Sequence, residues 1–211
     1  MMTTFLSLAD FVDRARRRLI AVAPSVEVAS AIGDHAVDPS LIALRGSKAL
    51  QPAAVLVPIV AREQPTVLLT LRTEHLPSHK GQIAFPGGKT DSRDASPLAT
   101  ALREAEEEIG LHSVHVDPLG YLDVYETTSG YRIVPVVAQV NPPFVVRPNP
   151  SEVDEVFEVP LAFLMDAANH QDHQREWQGR MRRYTAMPFG ERYIWGVTAG
   201  ILKNLHARVL G

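Results

Sequence analysis

The segment that most restricts how this chain can fold runs from Phe85 to Leu111 and reads FPGGKTDSRDASPLATALREAEEEIGL. Ser96 followed by Pro97 marks a helix start, because serine caps free amide groups and proline at the first helical position gives up a hydrogen bond that would be unmade anyway. Gly110 supplies the stop. Between them the spacing predicts a helix of about three to four turns. At about 100° per residue, Leu98, Ala101, Leu102, Ala105 and Ile109 share one stripe, which is expected to face the core. Glu104, Glu107 and Glu108 stand at i, i+3 and i+4 on another face and converge on one patch, whereas Glu106 projects to a different flank and is not expected to be a ligand.

Like charges at this spacing repel, at a cost of about a few tenths of a kcal/mol even when exposed. A hard divalent cation, Mg²⁺ or Mn²⁺, relieves that repulsion through oxygen ligands. Alone, such a run is ordinarily a solvated face of a surface helix. What changes the reading is the turn before it, Phe85-Pro86-Gly87-Gly88, where a backbone free of side chains can pass close to a ligand.

The rest of the chain narrows the class. No cysteine is present, so disulfides, thiolate metal sites and cysteine nucleophiles are excluded, and any metal must take oxygen or imidazole ligands. With 45% hydrophobic and 21% charged residues in 211, the chain is expected to fold as one domain, with an N-terminal helical extension over about residues 1–48. A net charge of -3 offers no global attraction to nucleic acid, so an anionic small molecule would be held by local basic groups and metal. Asp10, Asp13, Arg14, Arg16, Arg17 and Arg18 interrupt the N-terminal apolar residues, which speaks against a membrane span or secretory core and for a cytoplasmic protein.

Phe5 to Leu19 has a helical rhythm, with Phe5, Leu8, Phe11, Val12, Ala15 and Leu19 apolar. Ala53 to Val60 and Val67 to Leu71 read as strands joined by a turn at Arg62 to Pro65, and Ile133 to Val140 as a buried strand in which Pro135 predicts an edge or a bulge. Asn141 to Pro150 is a Pro-rich loop, Val156 to Met165 is apolar enough to pack, and Trp195 to Val209 is expected to be a closing helix.

Gly88, Asp94, Arg103, Glu104, Ala105, Glu107, Glu108, Gly110 and Leu111 together resemble the Nudix box, which ends in Arg-Glu-apolar-x-Glu-Glu-x-Gly-apolar. Two departures lie upstream: Asp94 replaces the usual glutamate, and Gly88 to Arg103 spans 103 − 88 = 15 positions against the pattern's 14. The longer spacing resembles the coenzyme A pyrophosphatase branch. So does the upstream segment Leu68-Leu69-Thr70-Leu71-Arg72-Thr73 with Gly81, although Thr73 stands for serine and Pro77 for an arginine. The likeness extends to Ile194-Trp195-Gly196-Val197-Thr198-Ala199.

This resemblance implies an α/β fold, a Nudix-type α/β/α sandwich around a mixed β-sheet. It implies Mg²⁺ or Mn²⁺ on Glu104, Glu107 and Glu108, with Glu104 or a carboxylate from a later loop as general base; Glu152 is the candidate for that extra acid, although an acidic loop residue reads more readily as surface. Arg103 is expected to orient a carboxylate rather than touch substrate, and Glu104, Arg103 and Glu108 form the candidate catalytic set. Substrate contacts are expected from Gly87, Gly88, Arg72 and Lys80, although Arg72 and Lys80, like Arg132, divide evenly between phosphate binding and solvated surface. His170 and His173 read as surface, Trp177 and Trp195 more readily as packing than as adenine platforms. The implied reaction is hydrolysis of coenzyme A or acyl-CoA to 3′-phosphoadenosine 5′-phosphate and (acyl-)4′-phosphopantetheine. The rivals are a Nudix hydrolase of ADP-ribose or NADH, a non-catalytic Nudix nucleotide sensor, and a structural acidic helix in an interaction protein; a homodimer is left open.

Overall fold

The computed structural model describes residues 7–25, 30, 32–39, 41, 49–75, 80–177 and 179–211, without the side chains of residues 177 and 180. In chain order it contains α1 (Leu8–Arg18), β1 (Ile32–Gly33), α2 (Asp34–Val37), β2 (Gln51–Val60), β3 (Thr66–Arg72), β4 (Ile83–Ala84), β5 (Gly87–Lys89) and α3 (Pro97–Ile109). It continues through β6 (Val116–Tyr121), β7 (Tyr125–Glu126), β8 (Tyr131–Val140), β9 (Val153–Pro160), α4 (Leu161–Leu164), β10 (Gln171–Trp177), β11 (Arg180–Phe189), β12 (Arg192–Trp195) and α5 (Gly196–Leu210).

Two apolar strands form the spine. β2 and β8 run parallel in unbroken register from Gln51–Tyr131 to Val60–Val140, and their Val/Ile/Leu/Ala composition suits strands covered on both faces. The expectation for Pro135 needs correction on one side: β8 is an interior strand. Its outer partner changes from β7, paired at Ile133 and Arg132, to β6, paired from Val136 onward, and Pro135 sits in the gap where no N–H is required. There the Pro135 carbonyl accepts from the Leu122 amide at 3.0 Å.

On the other side of β2 the sheet splits. β2 pairs with β3 only at Ile59–Val67 and Val60–Thr66, then the two strands part. The Ile83–Lys89 segment fills the opening: β4 pairs with β3, β5 pairs with Ala53 to Val55 of β2, and the Pro86 carbonyl accepts from the Leu56 amide at 2.8 Å. β9 lies along the far edge of β3, with a register break at Leu71/Arg72 that inserts Asp154 as an extra residue.

Helices cover both faces of this mixed sheet. Ala101, Ala105 and Ile109 of α3, with Leu111, pack on Ala54, Leu56, Leu68, Val136 and Val140, while Leu98 is partly buried and Leu102 half-buried at the margin of the expected stripe. The two alanines let the helix sit close to the strands. Truncating Ile109 to alanine would cost about 2–5 kcal/mol. Phe11 and Ala15 of α1 and Ile201, Leu202 and Leu205 of α5 build the opposite face, together with Met187 and Ile194 of the antiparallel sheet β10–β11–β12. α1 starts with Ser7, whose Oγ accepts from the Asp10 amide; Phe5, expected within this helix, lies outside the described residues. Among the described residues no helix is long and apolar enough to cross a membrane.

Candidate active site

α3 begins and ends where local chemistry directs. The Ser96 hydroxyl accepts from the Ala99 amide at 3.1 Å, Pro97 opens the first turn, and Gly110 closes the helix at φ 67°, a left-handed conformation that a side chain disfavours. The last turn carries Glu106, Glu107 and Glu108 and no basic residue, so nothing within that turn offsets their charge at the negative end of the helix dipole.

Arg103 organises part of that charge. Its Nε and Nη2 grip both oxygens of Asp94 at 3.0 and 2.9 Å, its Nη2 also reaches the Lys89 carbonyl at 3.0 Å, and its Nη1 donates to Glu104 at 2.8 Å and Glu107 at 3.1 Å. Hydrogen bonds from Arg103 hold the Asp94 carboxyl far below its ordinary range, and the same donation to Asp94 raises the guanidinium further. The Thr100 hydroxyl steadies Asp94 at 2.9 Å, which explains a buried threonine that the apolar stripe did not foretell. Asp94, noted in the sequence only as a departure from a pattern, is thus the anchor of the arginine.

Glu108 behaves differently from its neighbours. Only 2% exposed, it accepts from the Gly87 amide at 3.1 Å and from Arg72 Nη1 at 3.4 Å. Burial pushes its carboxyl up to about 7; the Gly87 amide and the Arg72 charge oppose this, while Glu104 and Glu152 add to it. Burial also raises Glu104, against the pull of Arg103 and with help from Glu107 and Glu152. Gly87 is needed sterically, since a Cβ there would lie 2.4 Å from the Ala54 carbonyl oxygen. A Cβ at residue 88 would lie 2.5 Å from Glu104 Cδ and push that carboxylate from its place.

The structure therefore brings together Glu104, Glu107, Glu108, Arg103, Arg72, Gly87 and Gly88. Glu152 is half-buried on the loop before β9, its carbonyl accepts from the Thr73 amide at 3.1 Å, and its charge is felt at Glu104 and Glu108. Lys80 is exposed in the turn between β3 and β4 and has no described contact with the cluster. Arg132 pairs with the buried Glu126 at 2.9 Å instead. Glu106 points away as expected, to His112. His170 packs edge-on against His206 and His173 stacks on Tyr184, so the two do not form a pair; Trp195 is half-buried, also against Tyr184. Trp177's side chain and Pro77 lie outside the described residues.

As they stand, no three acid or imidazole groups among the described residues are gathered tightly enough to hold a metal ion. Arg103 instead draws Glu104 and Glu107 to itself, although the donor set is entirely oxygen, as a hard cation prefers. Arg72 Nε is buried without a hydrogen-bond partner beside Glu108, and the carboxylates carry more negative charge than their arginines offset. The residues fit a divalent cation in kind, with Arg103 Nη1 giving up its share of Glu104 and Glu107.

Comparison with known proteins identifies the family. Residues 50–179 match the family model described as the NUDIX domain. The Escherichia coli (strain K12) protein named uncharacterized Nudix hydrolase NudL is 41% identical over 157 residues, covering 74% of this chain and 82% of its own. The chain belongs to the Nudix family, hydrolases of pyrophosphate bonds. Among solved structures, a NUDIX hydrolase from Alicyclobacillus acidocaldarius is similar at 20% identity and TM-score 0.48, covering 77% of this chain and 93% of that one. The NUDIX domain of Shewanella oneidensis NrtR, complexed with ADP ribose, is similar at 22% identity and TM-score 0.43, covering 59% and 84%.

Proposed function

We propose that this protein hydrolyses the diphosphate of coenzyme A or acyl-CoA to 3′-phosphoadenosine 5′-phosphate and (acyl-)4′-phosphopantetheine, with Mg²⁺ or Mn²⁺ held by Glu104, Glu107 and Glu108. The observation that carries the hydrolytic reading is the Arg103 guanidinium, locked by Asp94 and touching Glu104 and Glu107 beside a buried Glu108. The coenzyme A assignment is supported by the 15-position spacing from Gly88 to Arg103 and by the Leu68–Thr73 and Phe85–Gly88 segments.

A bound divalent cation would neutralise the diphosphate and lower the pKa of an attacking water. Around it, Arg103 is a positioning residue that keeps Glu104 facing Gly88. Glu104, or Glu152 from its loop, takes the proton of the attacking water. Gly87 and Gly88 let the anhydride approach the backbone, and Arg72 meets a phosphate oxygen with the Nε that has no protein partner. With a cation bound, the site would suit a small cytoplasmic diphosphate rather than a nucleic-acid or membrane surface.

The test is hydrolysis of coenzyme A, acetyl-CoA, ADP-ribose and NADH with Mg²⁺ or Mn²⁺, read by product mass. Release of 3′-phosphoadenosine 5′-phosphate is expected. Coenzyme A and its thioesters left intact while ADP-ribose is cleaved would remove the substrate assignment, and no turnover of any diphosphate would remove the hydrolytic one.

A further inference from the structure

The loop that carries Glu152 is fastened to the end of α3 through its backbone. Residues 147–150 read Arg-Pro-Asn-Pro, so Arg147 and Asn149 hold the only N–H groups of that stretch, and a residue before proline is biased toward extended backbone. Both amides go to α3: Arg147 donates to the Ile109 carbonyl at 2.7 Å and Asn149 to the Glu108 carbonyl at 2.8 Å. A helix leaves its last carbonyls without partners of its own, and here the cap falls on the residue whose carboxylate is buried in the site. The Gly110 stop admits the loop, since a Cβ there would crowd Arg147 Cβ at 3.1 Å.

From that anchor Asn149 organises the turn ahead of it. Its carbonyl accepts from the Glu152 amide at 3.0 Å and the Val153 amide at 2.9 Å, and its Oδ1 accepts from the Ser151 amide at 3.2 Å and the Ser151 hydroxyl at 2.8 Å. Because Pro150 has no N–H, every amide from residue 150 to residue 153 ends on Asn149. On its other side the turn meets Thr73, whose amide donates to the Glu152 carbonyl at 3.1 Å. Thr73 follows Arg72, which is both the register partner of Val153 and the donor to Glu108. From this place the charge of Glu152 bears on Glu104 and Glu108 alike. We propose that Asn149 is the positioning residue that keeps the Glu152 carboxylate beside Glu104 and Glu108, so that one residue couples the helix of the cation ligands to the acid supplied by a later loop. Asparagine suits the task because its carboxamide oxygen reaches the amide two residues on, as a backbone turn would. Asn149 acts through Glu152 and not on substrate. This rests on the reading of the site as a cation-assisted diphosphate hydrolase with Glu152 as its further acid.

The experiment is a double-mutant cycle between Asn149→Ala and Glu152→Gln in the full-length protein. It is read twice, as Mn²⁺ affinity of the metal-free protein by calorimetric titration and as kcat and KM on a cleaved diphosphate. Each single variant is expected to weaken Mn²⁺ several-fold and to lower kcat about tenfold or more, at a KM within about twofold of wild type. The double variant is expected to be no worse than Glu152→Gln alone, because a residue that acts only through Glu152 has nothing left to position. Asn149→Asp keeps an acceptor at the same place and is expected to restore most of the lost kcat. Thermal melts identify a misfolded variant; should Asn149→Ala be one, Asn149→Ser, with its weaker turn-forming hydroxyl, takes its place in the cycle. Losses that add in the double variant, a loss in Asn149→Asp equal to that in Asn149→Ala, or wild-type behaviour of either single variant would each overturn the proposal. Coupling of the two residues in Mn²⁺ affinity, in a protein that cleaves no diphosphate, keeps the positioning role and loses the hydrolytic reading; turnover without that coupling does the opposite.

Discussion

Two carboxylates in this molecule each face an arginine, and they are treated in opposite ways. Asp123, between β6 and β7, accepts from Arg208 Nε at 2.8 Å, from Arg208 Nη2, and from Asn204 Nδ2 at 2.9 Å, and hydrogen bonds from Arg208 hold its carboxyl below the ordinary range. Glu108 has one backbone amide and one long contact from Arg72, and burial pushes it up to about 7. The first pair is complete and ties α5 to the loop beside the main sheet. The second leaves buried charge uncompensated, which a fold tolerates where a ligand finishes the balance.

The largest expected effect falls on turnover. Glu104→Gln should lower kcat by about 10²- to 10⁴-fold, the usual worth of a positioned base, whereas Asp123→Asn should leave kcat at the wild-type level. Steady-state rates on a cleaved diphosphate would decide it, and an equal loss in both variants would erase the distinction between the two carboxylates.

Stability should separate them by sign. Asp123→Asn removes charge-assisted bonds worth about 1.5–3 kcal/mol in all and should lower the melting temperature. Glu108→Gln removes a buried charge and should raise the stability of the metal-free protein at pH 8 by about 1–3 kcal/mol. The same variant should lose the stabilisation that Mg²⁺ gives the wild type, about 2.7 kcal/mol at a hundredfold excess over Kd. Denaturant titration with and without Mg²⁺ reads both, and a Glu108→Gln protein weaker than wild type without metal would contradict the reading.

The pH dependence sharpens this further. A carboxyl whose pKa is raised by folding binds more protons folded than unfolded, so stability falls as pH rises. For Glu108 the penalty is absent below about 4.5 and complete above about 7. Asp123 is depressed by folding, so its contribution is present above the ordinary aspartate value and is lost as pH falls through the folded value. The advantage of Glu108→Gln over wild type should therefore open between those two pH values, while the deficit of Asp123→Asn should close only in stronger acid. Melts of the metal-free proteins across pH would show the two curves diverging at different places.

Smaller effects mark the borders of the site. Arg103→Lys keeps the charge but cannot grip Asp94 with two nitrogens while reaching Glu104 and Glu107, so kcat should fall about tenfold with the fold retained. Glu106→Gln touches only an exposed contact with His112 and should change stability by less than about 0.5 kcal/mol, with no change in rate.

The borders of α3 were legible before any coordinates because they are local: a Ser-Pro start, a glycine stop and an apolar stripe three and four residues apart act within single turns of helix. The same local logic put Glu104 and Glu107 within reach of one nitrogen and sent Glu106 elsewhere, and it supplied the strands now seen as β2, β3 and β8. Pro135 sits inside the sheet rather than at its edge because the gap between β6 and β7 is a property of three strands at once.

What tertiary structure decided was the state of each charge. Helical winding can place three glutamates on one patch, but only the parting of β2 from β3 lets the glycine turn reach Glu108 and carries Arg72 to it from 36 positions earlier. Burial is a sum over everything packed nearby, so a pattern with a period of 3.6 cannot tell that Glu108 is sealed while Glu107, one residue before it, leaves 58% of its side chain in solvent.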